Sequence, residues 1–133
     1  MSLKIIISWL LRIAAAVILL QTLYFKFTAH PESVELFTKL GVEPWGRIGT
    51  GIIELIAAVL LLIPSTAVIG AALGLGLMSG AILSHIAVIG IESKGDGGQL
   101  FMLAIVVFVC CFITILLHKQ QGILLYKRIF KKA

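Results

Sequence analysis

The sequence predicts an all-α membrane protein: a four-transmembrane-helix bundle, with a short interfacial helix between spans one and two, in a single domain over residues 1–133. Three observations predict it. Of the 133 residues, 60% are hydrophobic and 13% charged, against roughly 25% charged in a soluble domain. A small fold has a large surface for its volume, and so few charges cannot cover it in water. The apolar residues fall into four runs, each near the ~20 residues a helix needs to cross a ~30 Å hydrocarbon core. The basic residues gather toward the two chain ends, as topology signals do. Together these exclude a soluble enzyme, a disordered chain and a nucleic-acid-binding module.

The spans are expected at about residues 5–24, 46–63, 67–91 and 100–117. The first is long, contains Arg12 and lacks a small-x-small cleavage site, so it reads as a retained span rather than a signal peptide. After it, Pro31 to Leu40 has the marks of a short helix. Pro31 suits the first turn, Glu32 and Glu35 suit the positive end of the helix dipole, and Gly41 can end it. Val34, Leu36, Phe37 and Leu40 give that helix an apolar side, so it is expected to lie at the outer membrane face. Glu43 to Gly46 then forms a turn. Pro64, Ser65 and Thr66 turn tightly between spans two and three, and Glu92 to Gly98 is a polar, glycine-rich loop between spans three and four. The tail, residues 118–133, mixes Ile123, Leu124, Ile129 and Phe130 with Lys119, Lys127, Arg128, Lys131 and Lys132. Such a segment lies along an anionic inner surface. With an even number of spans, both termini are expected in the cytoplasm.

Span three carries Gly70 and Gly74, then Gly76 and Gly80. This small-xxx-small spacing lets helices approach closely. It reads as helix packing, within one chain or in a homo-oligomer. Cys110 and Cys111 are adjacent in an apolar run and read as buried fillers, since neighbouring helical cysteines bridge only with strain. No metal-ligand spacing is present, no flavin motif appears, and no second histidine shares the depth of His85, so haem is not expected.

The informative residues are polar groups placed in lipid. Arg12 lies in span one, Glu54 in span two and His85 in span three. A charge at mid-bilayer costs about 2.5–3.5 kcal/mol on insertion scales, so each should face a partner or a wet cavity. At about 1.5 Å per residue, Arg12 and Glu54 enter from opposite sides to depths that bring them within reach of one guanidinium arm. Gln21 and Lys26 stand at the outer end of span one, and Arg47, Thr50 and Glu54 share a face of span two. Arg12, Gln21, Lys26, Glu54 and His85 are therefore expected to form an intramembrane polar pocket that binds a ligand or handles protons. The competing reading is an Arg12–Glu54 pair that only fixes helix register.

The order Arg12, Tyr24-Phe25-Lys26-Phe27, Phe37-Thr38-Lys39-Leu40-Gly41, Gly51-Ile52-Ile53-Glu54 and Ala81-Ile82-Leu83-Ser84-His85 resembles the DoxX family of small four-span membrane proteins, over roughly residues 10–115. The resemblance implies a bacterial cytoplasmic-membrane protein. Relatives of the DoxD type are membrane subunits of a thiosulfate:quinone oxidoreductase, and others accompany redox enzymes or assist membrane-protein assembly. By this analogy the chain is an oxidoreductase-associated subunit without its own redox centre. It would bind a quinone or similar small lipophile, with Glu54 and His85 handling protons and Arg12 or Lys26 stabilising a reduced oxygen. Two other functions stay open: a scaffold or chaperone-like protein using the glycine face or the loop helix, and a small-solute or proton pathway.

Overall fold

The computed structural model describes residues 2–92 and 97–131. Ser93 to Asp96 of the expected loop, and Lys132 and Ala133 of the expected tail, lie outside the described residues. Among the described residues six α-helices follow in order: α1 (Leu3–Phe27), α2 (Pro31–Lys39), α3 (Trp45–Leu62), α4 (Ala67–Ser84), α5 (Gln99–Leu117) and α6 (Lys119–Lys131). Helices α1, α3, α5 and the stretch Pro64–Ile89 containing α4 are each long and apolar enough to cross a membrane. The four form a closed ring in which α1 packs on α3, α3 on α4, α4 on α5 and α5 back on α1. The protein is thus an all-helical integral membrane protein.

The helices pack by their small residues. Helix α1 buries Ser8, Arg12, Ala15, Ala16, Leu19 and Leu23, one stripe of 3.6-residue period. Helix α3 answers with Gly51, Glu54, Ala57, Ala58 and Leu61. Leu10, Val17, Ile56, Val59, Phe112 and Leu116 point outward and are exposed, the reverse of a water-soluble bundle. Lipid is as apolar as these side chains, so apolar burial supplies little drive between the helices. Close van der Waals approach supplies it instead. It is closest at Gly70, where an added Cβ would stand 2.6 Å from the Leu61 amide nitrogen and 2.9 Å from the Ala57 carbonyl oxygen. At Gly74 an added Cβ would meet Cys111 Sγ at 2.7 Å.

The helix ends have identifiable causes. Ser2 caps α1, its hydroxyl accepting from the Ile5 amide. His30 caps α2 by accepting the Glu32 amide on Nδ1. Gly41, at φ +75°, lets the chain turn after α2. The apolar pattern of span three runs on to Ile91, but α4 stops at Ser84 and a single π-turn, His85–Ile89, follows. The Gly90 amide donates to the His85 carbonyl, and Gly90 holds φ +87°, a conformation suited to glycine.

The α6 end of the bundle, which also carries the start of α1, is closed by polar ties. Gln121 of α6 accepts from the Val68 amide at 3.0 Å, at the open N-terminus of α4, and donates to the Pro64 carbonyl at 2.8 Å. Helix α6 is thereby docked on the α3–α4 turn. Ser8 Oγ and His118 Nε2 share a 2.6 Å hydrogen bond between α1 and the end of α5.

Two predictions follow from this packing. Gly70→Ala should destabilise the detergent-solubilised protein by about 1–3 kcal/mol through backbone displacement. Gly76→Ala, with nothing within 4 Å of the added Cβ, should be neutral or gain up to ~1 kcal/mol from helix propensity. Equal melting temperatures for the two variants would contradict this account. Burial, with Arg12 and Lys4 nearby, holds His118 below its usual 6.5. The folded state therefore disfavours the imidazolium. The resulting stability is present above pH 6.5 and is lost as pH falls below it toward the folded value. A melting curve should accordingly drop on acidification through that window, and His118→Gln should flatten the drop.

Candidate functional site

At the opposite, α2 end, the bundle opens into a chamber of about 720 Å³. Its walls come from α1, α3, α4, the π-turn and α5, and α2 lies across it through Glu32, Ser33, Leu36, Phe37 and Leu40. Within α4 the change from packing to lining occurs over a few residues. Gly70 and Gly74 are pressed against neighbouring helices, whereas Gly76 and Gly80 line the chamber and a Cβ on either would meet nothing within 4 Å. Those two glycines, expected to pack helices within one chain or in a homo-oligomer, meet no other helix of this chain and leave a wall without side chains. Ala81 and Ser84 continue it.

The polar groups are concentrated on two walls. On the first, successive turns of α1 present Leu19, Thr22 and Lys26, and α3 presents Thr50 and Glu54. Lys26 Nζ pairs with Glu54 Oε1 at 3.1 Å. The Thr22 hydroxyl lies 2.9 Å from Glu54 Oε2 and 2.8 Å from the Leu19 carbonyl oxygen, both of which can accept from it. Both carboxylate oxygens of Glu54, which is only 4% exposed, are thus engaged. This is how the protein meets the cost of a carboxylate in lipid: an opposite charge and a hydroxyl donor, both from α1. Arg47 braces the same corner without lining the chamber. Its Nε donates to Glu43 at 2.8 Å, and its Nη1 donates to the Lys26 carbonyl in the last turn of α1.

On the second wall stands His85, 3% exposed. Its Nδ1 is 2.9 Å from the Gly90 carbonyl oxygen. A carbonyl only accepts, so Nδ1 carries the proton. In the neutral ring, Nε2 is then left with its lone pair, and it makes no hydrogen bond among the described residues. Phe101 packs against the ring edge-on, with 5.5 Å between centroids. Gln99, at the start of α5, adds an amide to the lining.

Of the five polar residues expected to converge, Gln21, Lys26, Glu54 and His85 line this chamber and Arg12 does not. The expected approach of Arg12 to Glu54 does not occur. Arg12 Nε donates instead to the Leu61 carbonyl at 2.6 Å, and the guanidinium lies 4.0 Å from the centroid of the Trp9 ring. The physical reason is direction. Side chains tilt toward the N-terminus of their own helix, so Arg12 reaches back to the α6 end and to the unsatisfied carbonyls that close α3. The partner of Glu54 is Lys26, the cation at the outer end of span one. Thr22 and Gln99 were the less legible contributors. Thr22 is a hydroxyl on the face of Lys26, and Gln99 is the polar residue that opens span four.

Among the described residues, no group of three histidine, cysteine or carboxylate side chains could hold a metal ion. A family model described as "DoxX-like family" matches residues 10–115, and the chain belongs to that family. No curated protein and no solved structure matches it.

The Lys26–Glu54 pair generates a prediction. Glu54→Gln leaves Lys26 without its anionic partner and should cost on the order of 3 kcal/mol. Lys26→Met combined with Glu54→Gln should cost less than Glu54→Gln alone. A double-mutant cycle on melting free energies checks this. Additive losses would show that the two side chains are not coupled.

Proposed function

We propose that this DoxX-like membrane protein binds a small lipophilic ligand in the α2-end chamber, and that the ligand is a quinone or a similar ring lipid with a polar head. The observation that carries the reading is a chamber of about 720 Å³ whose lining is largely apolar but includes Lys26, Glu54, Gln21 and His85. That size and composition fit the general pattern of small-ligand sites, which run to about 300–1,000 Å³ with a few placed polar groups. The residues present suit such a head group. Lys26 Nζ has donors beyond the one given to Glu54, and a ring oxygen can accept from it. His85 Nε2 offers an acceptor to a ring hydroxyl. The wall of Gly76 and Gly80 leaves room for a flat body. A bound quinone would supply reversible two-electron, two-proton chemistry. The chain's own part is to bind and orient the ring, with Glu54 and His85 as the groups able to hold a proton beside it. Electrons would then come from a redox partner protein, so the chain acts as a subunit rather than as a complete enzyme. On the positive-inside rule, the α6 end faces the cytoplasm and the chamber opens toward the other side.

The test is mass spectrometry of organic extracts from the protein purified in native-lipid nanodiscs, as wild type, Gly80→Leu and His85→Phe. Gly80→Leu fills the chamber from a position where nothing within 4 Å meets a Cβ, so the fold should survive. A lipophile should be enriched in wild type, absent from Gly80→Leu and depleted in His85→Phe. Ordinary phospholipid alone in all three preparations would overturn the proposal.

A further inference from the structure

The polar groups of the chamber differ in what they have left to offer a ligand. The spanning helices bring the hydroxyls of Thr22, Thr50 and Ser84 to its lining. The Thr22 hydroxyl donates within its own corner, toward the Leu19 carbonyl and Glu54. Thr50 Oγ1 lies 2.8 Å from the Gly46 carbonyl oxygen, and Ser84 Oγ lies 2.8 Å from the Gly80 carbonyl oxygen. A carbonyl only accepts, so these hydroxyl protons are spent inside the protein and lone pairs remain. The Glu54 carboxylate, paired with Lys26, has only acceptor oxygens. Lining groups that can only donate are Lys26 and the Trp45 indole, both on the α1–α3 side. Gln21, Ser33 and Gln99 can serve in either sense.

On the opposite wall the choice falls to His85, the one imidazole in the lining. Its Nδ1 proton is committed to the Gly90 carbonyl at 2.9 Å, so the neutral ring offers Nε2 as an acceptor and nothing else. The commitment is built into the backbone. The turn His85–Ile89 and the positive φ of Gly90 bring that carbonyl back to the ring, and Phe101 packs against the ring from the side. Nε2 has no hydrogen-bond partner among the described residues, yet it is not sealed. Among those residues, the side-chain polar atom that is buried without a partner is Arg12 Nη2 alone. Nε2 is therefore reachable, and the cavity its ring borders is the chamber.

Resting on the ligand-binding reading of the chamber, we infer that His85 makes it selective for a ring head group carrying a hydroxyl, and so for the reduced, quinol-type form of a ring lipid over the oxidised, quinone-type form. A hydroxyl both donates and accepts. A quinol can give a proton to Nε2 in a hydrogen bond, and its oxygens still accept. A quinone has carbonyl oxygens only. Against Nε2 it sets lone pair to lone pair and covers the acceptor without satisfying it. An oxygen of either form can accept from Lys26, so that contact does not discriminate. The selectivity belongs to the wall where the protein has fixed an acceptor.

The test compares retention of decyl-benzoquinol and decyl-benzoquinone, under argon, by the protein in nanodiscs. Gly80→Leu nanodiscs, with the chamber filled, give the amount of each probe that dissolves in lipid alone, which is subtracted. Wild type should bind the quinol about tenfold more tightly, the worth of one buried acceptor satisfied rather than covered. His85→Phe should bring the ratio close to one. His85→Gln, whose side-chain carbonyl can accept, should restore part of it. Equal binding of the two forms by wild type, or tighter binding of the quinone, overturns the selectivity while leaving the chamber a ligand site. Retention of neither probe above the Gly80→Leu level overturns the ligand-binding reading itself, and the selectivity with it. A quinol preference that persists undiminished in His85→Phe overturns the assignment to His85. The wild-type ratio decides the selectivity even if neither His85 variant folds.

Discussion

Everything in this bundle depends on how closely α4 approaches its neighbours. In a bilayer, side chains gain little by leaving lipid for protein, so helices stay together where backbones can touch. Gly70 lies against the backbone of α3, and Gly74 lies against Cys111 of α5. Alanines 15, 16, 57, 58 and 71 complete the seam. Because that seam is confined to the α6 half, the ring of helices is tight there. Toward the other end it opens, and the same small residue type that closes one half of α4 leaves space in the other. Cavity and core are two consequences of one glycine-rich helix, separated by the change of neighbours between Gly74 and Gly76.

The charged groups divide along the same line. At the open end each cation near the chamber is given a carboxylate or a carbonyl: Lys26 with Glu54, and Arg47 with Glu43 and the last turn of α1. These contacts join α1 to α3 and hold the chamber's first wall. At the tight end no cation is paired with a carboxylate among the described residues. Arg12 satisfies part of its fork on the end of α3, and α6 is held by an amide, not by a charge.

His85 shows how a local backbone feature serves the chamber. The π-turn that ends α4 brings the Gly90 carbonyl to Nδ1. Oriented in this way, Nε2 is left with its lone pair and makes no hydrogen bond among the described residues. An uninterrupted α-helix to Ile91 would have pointed the Gly90 carbonyl toward the C-terminal end, away from His85, and left the imidazole without this orienting contact.

The sequence by itself determined the class of structure. Span lengths, turn residues and the scarcity of charge are local properties, and the demand that backbone groups in lipid be satisfied internally leaves helices as the outcome for such runs. It also marked out which residues matter, since Arg12, Lys26, Glu54 and His85 are conspicuous wherever they point. Only the tertiary structure decided who meets whom. Depth along a helix axis brings Arg12 and Glu54 together on paper. The tilt of side chains toward their own N-terminus carries Arg12 the other way and leaves Glu54 to Lys26. Likewise Gly70, Gly74, Gly76 and Gly80 are indistinguishable by spacing. Which two hold helices together and which two line a chamber depends on the path of α3 and α5 around them, and no periodicity in α4 contains that path.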